Sequence, residues 1–181
     1  MKSLEELVNT DEPALALVRE WMSTAVNPVE MLPCDPLDGD RTLLELQITT
    51  RSPMGAIAHG TGGLLVDRGW IRVLGAGCER LPRSIATWNE LDAGRPMRLD
   101  GALLIGDDAV GGFFGLSAGG IPVAPRTVGY YAPDAVEWED TGVGYSDWLR
   151  WLFTGDLEAF YENARWPGWR EEVEPLAGDR A

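Results

Sequence analysis

Residues Gly101 to Leu116 read GALLIGDDAVGGFFGL, two apolar runs meeting at an Asp- and Gly-rich turn. Such a pattern folds back on itself as a hairpin, here Ala102 to Ile105 with Ala109 to Leu116 around Asp107-Asp108. Gly111, Gly112 and Gly115 weaken a strand on propensity and mark a bulge or the close approach of another backbone. The sequel, VGYYAPDAVEWEDTGVGYSDWLRWL from Val128 to Leu152, adds a strand pair, Gly129 to Ala132 and Ala135 to Glu139, about Pro133-Asp134. A helix follows, N-capped by Ser146, with Trp148, Leu149, Leu152 and Phe153 on its buried face. Everything else must pack around these central strands and the helix that covers them.

Upstream, Leu4 to Val8 forms one helical turn. Thr10 and Asp11 supply N-cap chemistry and Pro13 a first-turn residue, which predicts an amphipathic helix over residues 12–25 ended by Asn27-Pro28. Val29 to Arg41 is rich in turn residues and reads as a loop. Thr42 to Thr50 alternates Leu44, Leu46 and Ile48 against Glu45, Gln47 and Thr49, the pattern of a half-buried strand. Arg51 to Gly55 breaks it, and a glycine-rich loop runs through His59 to Gly63. Gly63 to Val66 and Trp70 to Leu74 form a hairpin about Asp67-Arg68-Gly69. After a loop over Gly75 to Pro82, Ser84 to Leu91 is a short helix carrying Ile85 and Trp88. Asp92 to Arg98 is a turn-rich joint, and Ser117 to Thr127 a Gly- and Pro-rich loop. Gly155 stops the SDWLRWL helix, Asp156 caps the next, and Trp166-Pro167-Gly168-Trp169 turns the chain into a polar tail.

The expected fold is therefore α+β: one domain over residues 1–181, with a single mostly antiparallel sheet flanked by N-terminal and C-terminal helices. The helical segments fall at 1–28 and 146–175, and the sheet at 42–140. A chain of 181 residues is long enough to bury roughly two-thirds of its unfolded surface. Eight tryptophans point to a core built on large rings.

Charge and composition narrow the function. A net charge of −14 opposes binding to a phosphate backbone, which needs clustered Lys and Arg, and favours a basic protein partner. No apolar run approaches a membrane span, and the N-terminus lacks a signal-peptide core, so the expected address is cytoplasmic. Cys34 and Cys78 lack metal-binding spacing and are expected as free thiols; with His59 the only histidine, neither a metal site nor a cofactor is expected.

The segments LEELVNTDEPA, TTRSPMGAIA, TGGLLVDRGWIRVLGAG, DDAVGGFFGL, YYAPDAVEWE, GYSDWLRWL and RWPGWREEV together resemble an uncharacterised bacterial family, a domain of unknown function, from Leu4 to about Val173. Gly112-Phe113-Phe114, Tyr130-Tyr131, Trp138 and Ser146 to Leu152 are also similar to the SUKH superfamily. That superfamily includes a yeast regulator of cell-wall synthesis and bacterial immunity proteins that neutralise toxins. The similarity implies a sheet flanked by helices and a role in binding another protein.

Few residues stand out for chemistry. His59 precedes Gly60, Gly62 and Gly63, whose backbone N–H groups would suit an anion, but neither GxGxxG nor GxxxxGK[ST] is present. Ser52, Cys78 and Ser117 lack any nucleophile motif. Asp107 and Asp108 fit a turn or a hard cation; no EF-hand pattern surrounds them. Arg51, at a strand end, has the fork geometry to clamp a carboxylate or phosphate. Trp151 points away from the buried face of its helix and would serve as an interface anchor, as would Trp148, Trp166 and Trp169. No catalytic set assembles. The leading expectation is a non-enzymatic protein-binding module with an acidic surface. The alternative is a small-molecule-binding protein or enzyme with a site at Arg51, Ser52, His59 and Asp107/Asp108. A third expectation is a homo-oligomer joined through exposed tryptophans.

Overall fold

The computed structural model describes residues 1–91 and 97–176; most of the Asp92 to Arg98 joint and the last residues of the tail lie outside the described residues. A seven-stranded antiparallel meander, β1-β2-β3-β4-β5-β6-β7, forms the sheet. Its strands are β1 Val29–Leu32, β2 Gly63–Val66, β3 Ile71–Leu74, β4 Ala102–Asp108, β5 Phe113–Ser117, β6 Val128–Ala132 and β7 Glu137–Asp140. The helices are α1 Leu4–Leu7, α2 Ala14–Ser23, α3 Pro36–Leu46, α4 Pro53–Gly60, α5 Ile85–Trp88, α6 Tyr145–Thr154, α7 Leu157–Phe160 and α8 Trp169–Val173. The fold is α+β.

The segment from Val29 to Gly60 departs from the sequence expectation. Val29–Leu32 is a strand, and the sheet region expected at 42–140 therefore begins at β1, with the two helices Pro36–Leu46 and Pro53–Gly60 between β1 and β2. The Asp35 carboxylate accepts the Leu37 N–H at 2.8 Å, and Pro36 occupies the first helical position. Pro36 thus starts a helix that runs through the expected strand. Gly39, Thr42 and Leu43 are buried on it while Leu44 is exposed, a period of 3.6 residues rather than two. The same device recurs at α4: Ser52 Oγ accepts the Gly55 N–H at 3.0 Å and Pro53 follows at once. The expected break at Arg51 to Gly55 is a helix start, and His59 and Gly60 form its last turn rather than an open loop. Gly39 lets α3 and α4 close on each other, since a Cβ there would collide with the His59 carbonyl.

Other differences are smaller. α2 begins after Pro13, because Asn9 Oδ1 accepts the N–H groups of Asp11 and Glu12 (3.1 and 2.8 Å) and draws the expected cap residues into a turn. Gly144, not Ser146, precedes α6. Asp107 and Asp108 end β4; the turn is Ala109 to Gly112, with Gly111 at φ +89. A bulge between Leu104 and Gly106 shifts the β4–β5 register.

Register assigns the two faces. Arg72, Asp107, Phe113, Tyr131 and Trp138 form one cross-strand row; Val73, Gly106, Phe114, Tyr130 and Glu139 form the next, on the opposite face. α6 packs on the second face, with the Trp148 and Phe114 rings 5.2 Å apart. Trp148, Leu149, Leu152 and Phe153 join Ile57, Val73 and Ile105 in the main core. On the first face Trp138 lies over Gly115 and Gly129, beside a smaller cluster of Ala102, Ile121 and Val123. At the other end, Arg165 lies over Trp169 (4.2 Å), Trp70 (4.9 Å) and Tyr161 (5.3 Å) and pairs with Asp67. This knot fastens the approach to α8 onto the β2–β3 hairpin.

Candidate functional site

Between β5–β7 and the α6–α7 pair lies a groove of about 290 Å³. Its walls follow from local sequence. The buried face of α6 carries Tyr145, Trp148, Leu149, Leu152 and Phe153. Trp151 is left on the flank, half-buried, as its spacing predicts. Gly155 ends α6, and the Asp156 carboxylate accepts the Ala159 N–H at 2.9 Å to begin α7. One helical turn later, adjacent aromatics cannot both enter the core: Tyr161 is buried and Phe160 is 40% exposed. Phe160 meets Trp151 edge-on at 5.0 Å and Tyr130 at 5.3 Å. Phe114, Tyr130, Val143 and Trp148 complete the apolar lining, and Glu139, Asp140 and Thr141 form the rim. Beyond Phe160 a second hollow, about 350 Å³, continues along Tyr130 and Glu139 to Asp134 and Asn163.

Asp108 anchors this surface from beneath. Only 1% exposed, it accepts the Tyr130 hydroxyl at 2.7 Å and the Tyr161 hydroxyl at 3.0 Å on Oδ2. Its Oδ1 accepts the N–H groups of Val110 (3.0 Å) and Gly112 (2.8 Å). One carboxylate thus fixes the β4–β5 turn, the floor of the groove and the end of α7. Burial, followed by the Asp108 charge, pushes both phenols well above the ordinary tyrosine value.

The rim is acidic and unneutralised. Among the described residues no ion pair involves Asp134, Glu137, Glu139 or Asp140. The N–H groups of Gly142 and then Ala124, at 2.8 and 3.2 Å, lower the Asp140 carboxyl below its usual range. Aromatic faces beside unpaired carboxylates suit a cation with an apolar stem, such as a lysine or arginine side chain.

The residues singled out by sequence fall in separate places. Arg51 is exposed and pairs with Glu12 at 2.8 Å. Ser52 caps α4. His59 Nε2 meets Asp40 Oδ1 at 2.9 Å. Asp107, on the face opposite Asp108, is clamped by buried Arg72 (2.5 Å) and by Arg83 (2.6 Å). Arg51 and His59 share no hydrogen bond with either aspartate, so the four do not form one cluster. Asp108 and Trp151, by contrast, serve the same groove from below and from its wall.

Both cysteines are free, and burial together with Asp38 and Asp35 raises the Cys34 thiol, the reverse of activation. Ser117 is buried, its hydroxyl donating to the Val123 carbonyl at 2.9 Å. Among the described residues no three His, Cys, Asp or Glu side chains are placed to hold a metal ion. Nor is any described helix long and apolar enough to cross a membrane. Sequence reasoning missed Tyr130, Glu139 and Phe160 as site residues. The consecutive aromatics Phe160-Tyr161 just after a capped turn were the available signal.

Comparisons place this architecture in a family. The Escherichia coli (strain K12) protein YbfG, itself uncharacterised, is 41% identical over 181 residues, covering 100% of this chain and 82% of its own. An uncharacterised Haemophilus influenzae (strain ATCC 51907 / DSM 11121 / KW20 / Rd) protein is 33% identical over 184 residues, covering 99% of this chain and 79% of its own. No solved structure matches the chain. The model of the protein family of unknown function DUF2625 matches residues 4–181, and the chain belongs to that family.

Proposed function

We propose that this protein is a non-enzymatic binding module that engages a basic partner protein through the acidic, aromatic-lined groove beside β7, in the manner of an immunity protein. One observation carries the reading. Among the described residues Glu139 has no ion-pair partner, and it stands directly across the ladder from Tyr130, beside the exposed ring of Phe160. An inserted lysine or arginine would gain cation–π attraction of about 0.5–2 kcal/mol from such rings, and Glu139 would hold its charged head. The net charge of −14 would speed the encounter in a salt-dependent way. The likeness of GFF, YY and SDWLRWL to the SUKH pattern supports the same role. The small-molecule alternative at Arg51, Ser52, His59 and Asp107/Asp108 gains no such support, because each side chain is already engaged elsewhere.

Affinity capture from the native host with wild type and Glu139→Lys, at low and moderate salt, tests the proposal. A stoichiometric basic protein should be retained by wild type, weakened by salt and lost with Glu139→Lys. Recovery of no such partner in either condition, or equal recovery by both baits, would refute it.

A further inference from the structure

The sheet has two edges, and they differ. β1 lies between Pro28 and Pro33, and its one acid, Glu30, is bound by Arg80 at 2.5 Å. Proline and a neutralised edge discourage further pairing. β7 has no proline within it, and its three acids in the four residues Glu137-Trp138-Glu139-Asp140 form no ion pair among the described residues.

Ladder geometry shows which of its backbone groups are open. The Thr141 N–H donates to the Val128 carbonyl at 3.1 Å, making Val128 and Thr141 a bonded pair. Alternation then directs the backbones of Glu139 and Glu137 inward to Tyr130 and Ala132, and those of Trp138 and Asp140 outward. The Trp138 indole lies back over Gly115 and Gly129 and packs on Tyr131 at 5.4 Å, so it leaves the outer edge uncovered. Glu137 and Glu139 project to the groove face.

We propose that β7 accepts an extended basic segment of the partner as an added strand, hydrogen-bonded to the backbones of Trp138 and Asp140. The inference rests on the groove reading above and specifies how the groove is filled. Alternation in the added strand puts every second side chain beside Glu137 and Glu139 and over the groove, where Lys or Arg is complementary. The residues between them face Trp138 and Asp140 and make the backbone bonds. An acidic strand, such as β7 of a second copy, is repelled by the same carboxylates, which protects the edge from self-association.

The probe is an acetylated, amidated Lys-Val-Lys-Val-Lys peptide, titrated by tryptophan fluorescence. Two companions carry N-methyl groups on both valines or on all three lysines, keeping charge and side chains. With lysines beside Glu137 and Glu139, valine N–H groups donate to β7 and lysine N–H groups point away. The valine-methylated peptide should therefore bind about tenfold or more weakly, and the lysine-methylated peptide like the parent. Amide hydrogen exchange should slow at Trp138 and Asp140 with the parent and lysine-methylated peptides and not with the valine-methylated one. Equal binding by all three peptides overturns strand addition while leaving the groove reading intact. Loss with both methylated forms overturns the assigned backbone pairing. No binding by the parent peptide, with folded wild type, overturns the groove reading and this inference together. Exposed Glu139→Lys serves as the folded control and should abolish binding of the parent.

Discussion

Replacing Asp108 with asparagine probes the anchor of the groove without changing its volume. The Val110 and Gly112 N–H groups both reach Oδ1, so the asparagine carbonyl still serves them. The Tyr130 and Tyr161 hydroxyls both reach Oδ2, where asparagine presents an NH2 group. That amide donates to the phenol oxygens, but the two phenol protons then lack an acceptor in a buried site. Hydrogen bonds to a charged group contribute about 1.5–3 kcal/mol and neutral ones about 0.5–1.5, so two such exchanges cost about 2–3 kcal/mol, more if a proton stays unpaired. An opposing effect exists, because a buried carboxylate is costly to desolvate. It does not win here, since all four surrounding donors are aimed at acceptor oxygens. The net expectation is a loss of about 2–4 kcal/mol, a large share of a typical domain stability of about 5–15 kcal/mol. Urea unfolding followed by tryptophan fluorescence and circular dichroism measures it. At a urea slope of about 2 kcal/mol/M the midpoint should fall by about 1–2 M. Tyr130→Phe should cost much less in the Asp108→Asn background than in wild type, with a coupling energy of about 1–2 kcal/mol. An unchanged midpoint, or strict additivity of the two substitutions, would refute the network.

Three further outcomes are expected. Tyr130, Tyr145 and Tyr161 all have phenols raised above the ordinary value, by burial first. The raised folded values mean that their stabilisation is complete below about pH 10, where unfolded tyrosine ionises, and is lost as pH rises above it at up to about 4 kcal/mol per pH unit. Alkaline unfolding should coincide with phenolate absorbance, and ordinary titration of all three with native circular dichroism would contradict this. A Cβ on Gly112 would lie 2.6 Å from Asp108 Oδ2, whereas one on Gly115 would meet the half-buried Trp138 ring at 2.9 Å. Thermal unfolding should show Gly112→Ala losing about 2 kcal/mol or more and Gly115→Ala under about 1 kcal/mol; equal losses would show that both sites relax alike. Arg165→Lys keeps the charge but loses the planar fork that spans Asp67 and the aromatic faces. It should cost about 1–3 kcal/mol and weaken the near-UV signal of Trp70 and Trp169; no change would mean that the knot does not stabilise α8.

Legibility in the sequence depended on whether a signal was local. The β2–β3 and β6–β7 hairpins, the Ser84-capped α5 and the Asp156-capped α7 each follow from residues within a few positions of one another, and the structure has them in those segments, although α5 ends at Trp88 rather than Leu91 and β7 begins at Glu137 rather than Ala135. Residues 35–60 mislead because proline is an ambiguous signal. A proline that ends one helix and one that opens another look alike until the preceding Asp35 or Ser52 is seen to accept a backbone N–H. The Leu44-Leu46-Ile48 alternation is a coincidence of composition, overruled by burial of Leu43 on α3, a helix that packs against α4.

An α+β chain with hairpins in its middle, amphipathic helices at its ends, a net charge of −14 and a Trp151 turned off the buried face of α6 can be read from the residues in order. Those are consequences of period, cap chemistry and charge count, all of which are properties of neighbouring residues. What the two aspartates do is set by long-range packing instead. Alternation along β4 sends Asp107 to Arg72 and Arg83 on one face and Asp108 to Tyr130 and Tyr161 on the other. Those two tyrosines lie 22 and 53 residues from Asp108. No local pattern encodes such distances, because they are set when the sheet closes and α7 packs against it. The groove beside β7 arises in the same step: long-range packing leaves Phe160 outside, Tyr130 beneath it and Glu139 exposed at the edge.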